Sequence, residues 1–329
     1  MRRREKSGIA PARWWVNPAG YEPRAKLVLQ DQILATIQDE RDGIRLEEYP
    51  SDTDCCPFEN IDDEGEPLPW IVASKWRGPF DVPGGRNEPR SYGMREYEPL
   101  KVPGLHRSFA AIDGSETGVL AFMAEYGFLG VNTWLLETED LSERYFGESL
   151  EEWRTESFRM RTLIGLYDLY RDPKTSEEAL EEWIDVGQNA ASFRQRFMDR
   201  QPGAFKYALS DEFYLQRIPP ELAGEPLYRR AARTILREYV ASELYRGTIP
   251  VIDVGPGSQL SLVPGDLLGA MYVLFMQELL GRADPLVRCA SCGKWFVSRH
   301  ASKIYCSDAC KMKAYRQSKK IKETQNDGD

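Results

Sequence analysis

"ESLEEWRTESFRMRTLIGLYDLYRD", residues 148–172, reads as one long amphipathic helix, and it decides the class of fold. Leu150, Trp153, Phe158, Leu163, Leu166 and Leu169 trace one apolar stripe at helical spacing, and Ser149 stands where an N-cap belongs. Such a stripe needs helical partners. The sequence supplies them in "SETGVLAFMAEYG" (115–127), "TSEEALEEWIDVGQNAASFRQRFMDR" (175–200, with Thr175 as a cap) and "PLYRRAARTILREYVASELYRG" (226–247). Glu151, Glu152 and Glu156 fall between the stripe residues and read as a solvated helix face.

Toward the C-terminus, "TIPVIDVGPGSQLSLVPG" (248–265) predicts two strands around a Gly-Pro-Gly-Ser turn, a hairpin. "DLLGAMYVLFMQELLGR" (266–282) follows, with Asp266 placed to cap a helix whose all-round apolarity predicts burial. Its apolar run, Leu267 to Met276, is about half of what a membrane span needs. Toward the N-terminus, residues 1–112 are rich in Pro, Gly and charge, and runs such as "RWWVN" and "KLVLQ" predict short strands joined by long loops. The Trp14–Trp15 pair reads as strand packing. "SDTDCCPFENIDDEGE" (51–66) holds seven acids and no base, without the spacing of a calcium loop, and Cys55 and Cys56 read as reduced thiols.

Four of the six cysteines lie in "CASCGKWFVSRHASKIYCSDACKMKAYRQSKK" (289–320). The spacing is Cys289-x2-Cys292, thirteen residues, then Cys306-x3-Cys310: two thiolate pairs a short hairpin apart, which can close a tetrahedron around one zinc ion. A redox CxxC would be expected within a βαβ pattern that these residues lack, and common iron–sulfur spacings do not match. Four thiolates leave no open position for a catalytic water. His300, between the pairs, is the one substitute ligand. Gly293 suits the tight turn, Trp295 and Phe296 supply a small core, and Ser307 suits the N-cap of a helix beginning "DACKMKAYRQSKKIKE".

Residues 286–322 carry ten Lys or Arg against one acid, so this segment is +9 in a chain of net charge -9, and the remainder is near -18. The basic helix predicts phosphate contact through Lys311, Lys313, Arg316, Lys319 and Lys320, with Tyr315 among them as a stacking ring. Enzyme readings find little: "DVPGG" and "DVGPGS" lack phosphate-loop patterns, and His106, in "PGLHRSF", is the one candidate base, without a signature that singles out a nucleophile.

The fold class expected is mainly α with minor β (α+β). The chain divides into an irregular, β-rich N-terminal region (1–112), a helical main domain with a hairpin (113–286), a treble-clef-like four-cysteine zinc finger (287–322) and a disordered tail (323–329). The stretches "FMAEYGFLG", "ESLEEWRTESFRMRTLIGLYDLY", "GSQLSLVPGDLLGAM" and "VRCASCGKWFVSRHASKIYCSDACKMKAYR" resemble the bacterial CGNR zinc-finger proteins, in which an N-terminal ABATE domain precedes a four-cysteine finger. After Cys310 the chain reads "KMK" where that family's Gly-Asn-Arg would stand, so a sister family is implied. The resemblance implies Cys289, Cys292, Cys306 and Cys310 as ligands of one structural zinc, and a stress-induced, DNA-binding transcription regulator.

The expected partner is nucleic acid, taken as duplex DNA, with the helical domain sensing a signal or mediating assembly through a protein partner or self-association. The basic start "MRRREKSG" is not followed by an apolar stretch, so a cytoplasmic protein with no membrane contact is expected. The alternatives are a protein–protein adaptor with a purely structural finger and an enzyme with its site in the large domain. The acidic stretch 52–66 is expected to compete with phosphate for the finger.

Overall fold

The structure, a computed structural model, mixes helix and strand and describes residues 14–16, 21–24, 27–29, 70–73, 95–130, 134–138, 144–187, 190–194, 213–214, 224–253, 259–300 and 302–326. The acidic stretch with Cys55 and Cys56, the glycine turn at 81–85 and the hairpin tip at 254–258 lie outside the described residues. In chain order come β1 (Trp14–Val16), β2 (Tyr21–Arg24), β3 (Leu27–Leu29), β4 (Trp70–Ala73), β5 (Arg95–Tyr97), α1 (Leu105–Ala110), α2 (Glu116–Tyr126), β6 (Trp134–Thr138), β7 (Arg144–Ser149) and α3 (Leu150–Arg171). An antiparallel sheet of order β2-β4-β7-β6-β3 pairs strands from both sides of residue 112. β1 pairs with β5, and Trp14 anchors the pair by donating its indole N–H to the Phe128 carbonyl at 3.0 Å.

Helix α3 starts where the sequence places its cap, the Ser149 hydroxyl accepting from the Glu151 N–H. Trp153, Phe158, Leu163 and Leu166 of its stripe are buried against α1 and α5 (Leu227–Gly247). Just before the cap, Glu148 buries a carboxylate. It accepts from the Leu129 N–H (2.9 Å), the Gly130 N–H (2.6 Å) and the Trp153 indole (2.8 Å), three donors that offset the several kcal/mol an unpaired buried charge costs.

The segment predicted as a helix over 175–200 behaves otherwise. Helix α4 covers only Glu177–Glu181, capped by Ser176 in place of Thr175, and the chain then forms β8 (Ile184–Val186) and β9 (Ala190–Phe193), with β10 (Phe213–Tyr214) alongside. Ile184 and Phe193 pair in register and are both buried, so burial across a hairpin wins over the helical propensity of the preceding acids and alanines.

β11 (Thr248–Asp253) and β12 (Gln259–Pro264) form the predicted antiparallel hairpin, and α6 (Leu267–Leu279) begins at Asp266, whose carboxylate accepts from the Gly269 N–H. Leu267 to Phe275 of α6 are buried between α5 and α1. Glu156 is not part of a solvated face: it is largely buried, pairs with Arg159 and approaches Glu243 of α5.

Candidate metal centre

β13 (Leu286–Arg288) and β14 (Trp295–Val297) pair antiparallel, with Arg288 opposite Trp295, and the loop between them holds the first two cysteines. The Cys289 N–H donates to the Lys294 carbonyl, and the Gly293 N–H donates to the Cys289 carbonyl, both at 2.9 Å. Gly293 has φ +74°, a left-handed conformation that glycine adopts without penalty, so the loop can close tightly enough to turn both thiols to one point. The second pair is tied to the first by the backbone. The Ala290 N–H donates to the Ile304 carbonyl at 2.9 Å, and the Cys306 N–H points at the Cys289 sulfur at 3.4 Å. Ser307 caps α7 (Asp308–Asn326), its hydroxyl accepting from the Cys310 N–H at 3.3 Å, which sets Cys310 in the first helical turn.

The four sulfurs of Cys289, Cys292, Cys306 and Cys310 lie within 4.8 Å of one another, and among the described residues they are the one such group of potential ligands. A tetrahedral ion with metal–sulfur bonds of about 2.3 Å sets its sulfurs about 3.8 Å apart. Cys306 stands 3.6 Å from Cys292 and 3.5 Å from Cys310, so the cluster fits a metal ion. Burial alone would push the Cys289 thiol up, but the N–H groups of Cys306, Cys292 and Ser291 outweigh it and bring it down to about 6. Hydrogen bonds with the Cys310, Cys292 and Cys289 sulfurs push Cys306 up to about 12. Without a cation, therefore, the sulfurs share protons; a metal replaces those protons. His300 is exposed and outside the cluster.

Among the described residues, three contacts dock the four-cysteine module on the helical body. Trp295 lies against Gly104, where an added Cβ would stand 2.5 Å from the Trp295 Cβ and where φ is +65°, so both space and backbone demand glycine. The Arg107 guanidinium sits over the Trp295 ring, 5.4 Å from its centre. Lys294 pairs with Glu125 of α2 at 2.7 Å.

Arg107 belongs at the same time to a buried network in the body. Glu278 of α6 accepts from His106 Nε2 (2.8 Å), Arg107 Nε (3.0 Å) and Arg107 Nη2 (2.6 Å), and Asp168 of α3 accepts from Arg107 Nη1 (3.0 Å) and Nη2 (2.8 Å). Burial would push the Glu278 carboxyl up, but the hydrogen bonds from His106 and Arg107 outweigh it and hold it down to about 2. His106 itself is lowered, chiefly by burial. Bonded to Glu278 and stacked on Phe275, it is a core residue, and among the described residues no nucleophile is hydrogen-bonded to its ring.

On α7, Lys311, Met312, Lys313, Tyr315 and Arg316 are exposed, whereas Cys310 and Ala314 are half-buried, Cys310 within the cysteine cluster. Among the described residues, Lys311, Lys313 and Arg316 have no ion-pair partner. Lys319 and Lys320 continue the same helix, which runs past residue 322 to Asn326. Among the described residues no helix is long and apolar enough to cross a membrane. No family model, no curated protein and no solved structure matches the chain.

Proposed function

We propose that this chain is a zinc-stapled nucleic-acid-binding protein that regulates transcription in the cytoplasm, with the finger as the grip and the helical body as its rigid mount. The ion is zinc because four thiolates at tetrahedral separation, with no water position, form a closed structural site of the kind zinc favours. A hairpin knuckle followed by a ligand pair at the start of a helix is the order of a treble clef. The observation that carries the reading is α7: Lys311, Lys313 and Arg316 are exposed and, among the described residues, without an ion-pair partner, on a helix whose first turn carries Cys310 of the cluster. With a net +9 before the metal and +7 after four thiolates and Zn2+ are added, the module keeps a field that attracts phosphate. The resemblance to the CGNR zinc-finger proteins supports the regulatory role.

Elemental analysis should find one zinc per chain. Binding of the zinc-loaded protein to labelled DNA should weaken as salt rises, and replacing Lys313, Arg316 and Lys320 together by Ala should reduce the slope of log affinity against log salt by roughly 2 to 3. Salt-independent or absent binding by the wild type refutes the grip, and an adaptor role then leads.

A further inference from the structure

The basic helix carries something besides charge. With about 100° per residue along an α-helix, Cys310, Ala314 and Gln317 fall on one side, and Met312, Tyr315 and the Lys319 position fall on the opposite side. Arg316 and Lys313 flank them on one side and Lys311 on the other. Tyr315 is 64% exposed and Met312 48%, and Ile304, just before the second ligand pair, is also 48% exposed. The module's Phe296 is buried to 9% exposure, and Trp295 and Tyr305 are half-buried. So α7 presents an aromatic ring and a thioether to solvent with Lys311 on one side and Lys313 and Arg316 on the other, cations without an ion-pair partner among the described residues.

Resting on the nucleic-acid reading above, we infer that α7 holds an unpaired strand, single-stranded DNA or RNA, with bases stacked on Tyr315 and Met312 and phosphates along the lysine and arginine flanks. The charge complementarity is that of any nucleic acid; the apolar row is what selects strandedness. In a duplex the flat faces of the bases are hidden in the stack, so a ring on the contact surface has only edges and phosphates to meet. In a single strand those faces are exposed, and every base offers one. A helix that reads a duplex in the major groove does so chiefly with donors and acceptors on its outward side, where this one has Met312 and Tyr315 exposed beside the Lys319 position. An anionic membrane is the other surface that attracts a basic helix, but it requires a broad apolar face. Here the side of α7 that carries Cys310 and Ala314 is committed to the metal cluster, leaving only Met312 and Tyr315.

The test uses full-length zinc-loaded protein, a labelled oligonucleotide in single-stranded form and as its duplex, and vesicles rich in phosphatidylserine. At equal salt the single strand should bind about tenfold or more tightly than the duplex. Tyr315→Ala should weaken single-strand binding about tenfold, as expected for one lost base–aromatic stack. The same substitution should weaken duplex binding much less than single-strand binding and leave salt slope and zinc content unchanged, and Tyr315→Trp should retain the single-strand preference. A duplex bound as tightly as the single strand, a Tyr315→Ala change that affects both forms equally or neither, or vesicles preferred over both overturns the inference while leaving a phosphate-binding finger in place. Absence of salt-dependent binding to either form overturns the nucleic-acid reading itself.

Discussion

Glu278→Gln is the sharpest probe of how the body and the finger are joined. The carboxylate accepts three hydrogen bonds, two of them from Arg107 and one from His106. A glutamine of the same shape keeps one acceptor and presents an amide N–H2 where the second oxygen stood, so a guanidinium N–H is left facing another donor. Hydrogen bonds to charged groups contribute about 1.5 to 3 kcal/mol each. Asp168 still satisfies part of Arg107, and the variant no longer buries a carboxylate, so the net loss at neutral pH should be about 2 to 3 kcal/mol, below the 3 to 5 typical of a wholly orphaned buried charge.

The pH dependence gives the loss a signature. Glu278 titrates at about 2 in the folded protein, below its ordinary value of 4.5, so its contribution is complete above about 4.5 and disappears as the pH falls toward 2. His106 is lowered from 6.5, so acid costs both proteins stability below that value, because the unfolded chain takes up the proton more readily. Urea unfolding followed by helical circular dichroism should therefore show Glu278→Gln clearly weaker than wild type at pH 7 and the gap narrowing below pH 4. A gap under about 1 kcal/mol at pH 7, or one undiminished at pH 2.5, refutes the assignment of this network as an ionised one.

Three further outcomes are expected. Cys306→Ser should abolish metal binding and finger structure while the helical body keeps its own unfolding transition, read by elemental analysis and calorimetry. Gly104→Ala combines a left-handed backbone with a Cβ 2.5 Å from that of Trp295, and should cost about 1 to 3 kcal/mol and expose the 280–285 connection to protease; an unchanged melting temperature and digestion pattern contradicts the docking. Burial raises Asp266 from 3.8 to about 6 against the pull of the Gly269 N–H, so ionising it costs the fold stability as pH rises through that range; Asp266→Asn, an equally good cap, should be about 1 kcal/mol more stable at pH 7.5 and no better at pH 4, and a loss at pH 7.5 rejects this.

What the sequence made legible was local. The ligand set could be read because two short spacings and one hairpin bring the thiols together, and α2, α3 and α6 because Ser115, Ser149 and Asp266 sit at their caps before apolar stripes. The short helix α1 escaped because it has six residues and no side-chain cap; packing against α3 and α6 sustains it. Its His106 looked like a lone candidate base, and nothing in the local sequence marked Arg107. Their partner Glu278 is 172 and 171 residues away, on a helix where a single acid in an apolar run gives no hint of which way it faces. Glu156 misled because its position along α3 reads as solvent; Glu243 of α5 brings a second carboxylate beside it, and Arg159, bridging the two acids, offsets their burial and repulsion.

The long-range contacts that spacing could not supply are also the ones that fix α7 in space. Arg107 satisfies Glu278 and Asp168 on one side and covers Trp295 on the other, and Trp295 sits one residue from Lys294, which is held to α2 by Glu125. The cysteine cluster gathers the module's own loops, whereas this arginine and that ion pair set its orientation on the body. Because the exposed Lys294–Glu125 pair contributes at most about 1 kcal/mol, the orientation depends mainly on Trp295 seated between Gly104 and Arg107. Any change in the body that moves α1 relative to α6 is therefore expected to move the basic helix with it, because Trp295 is seated on α1 residues.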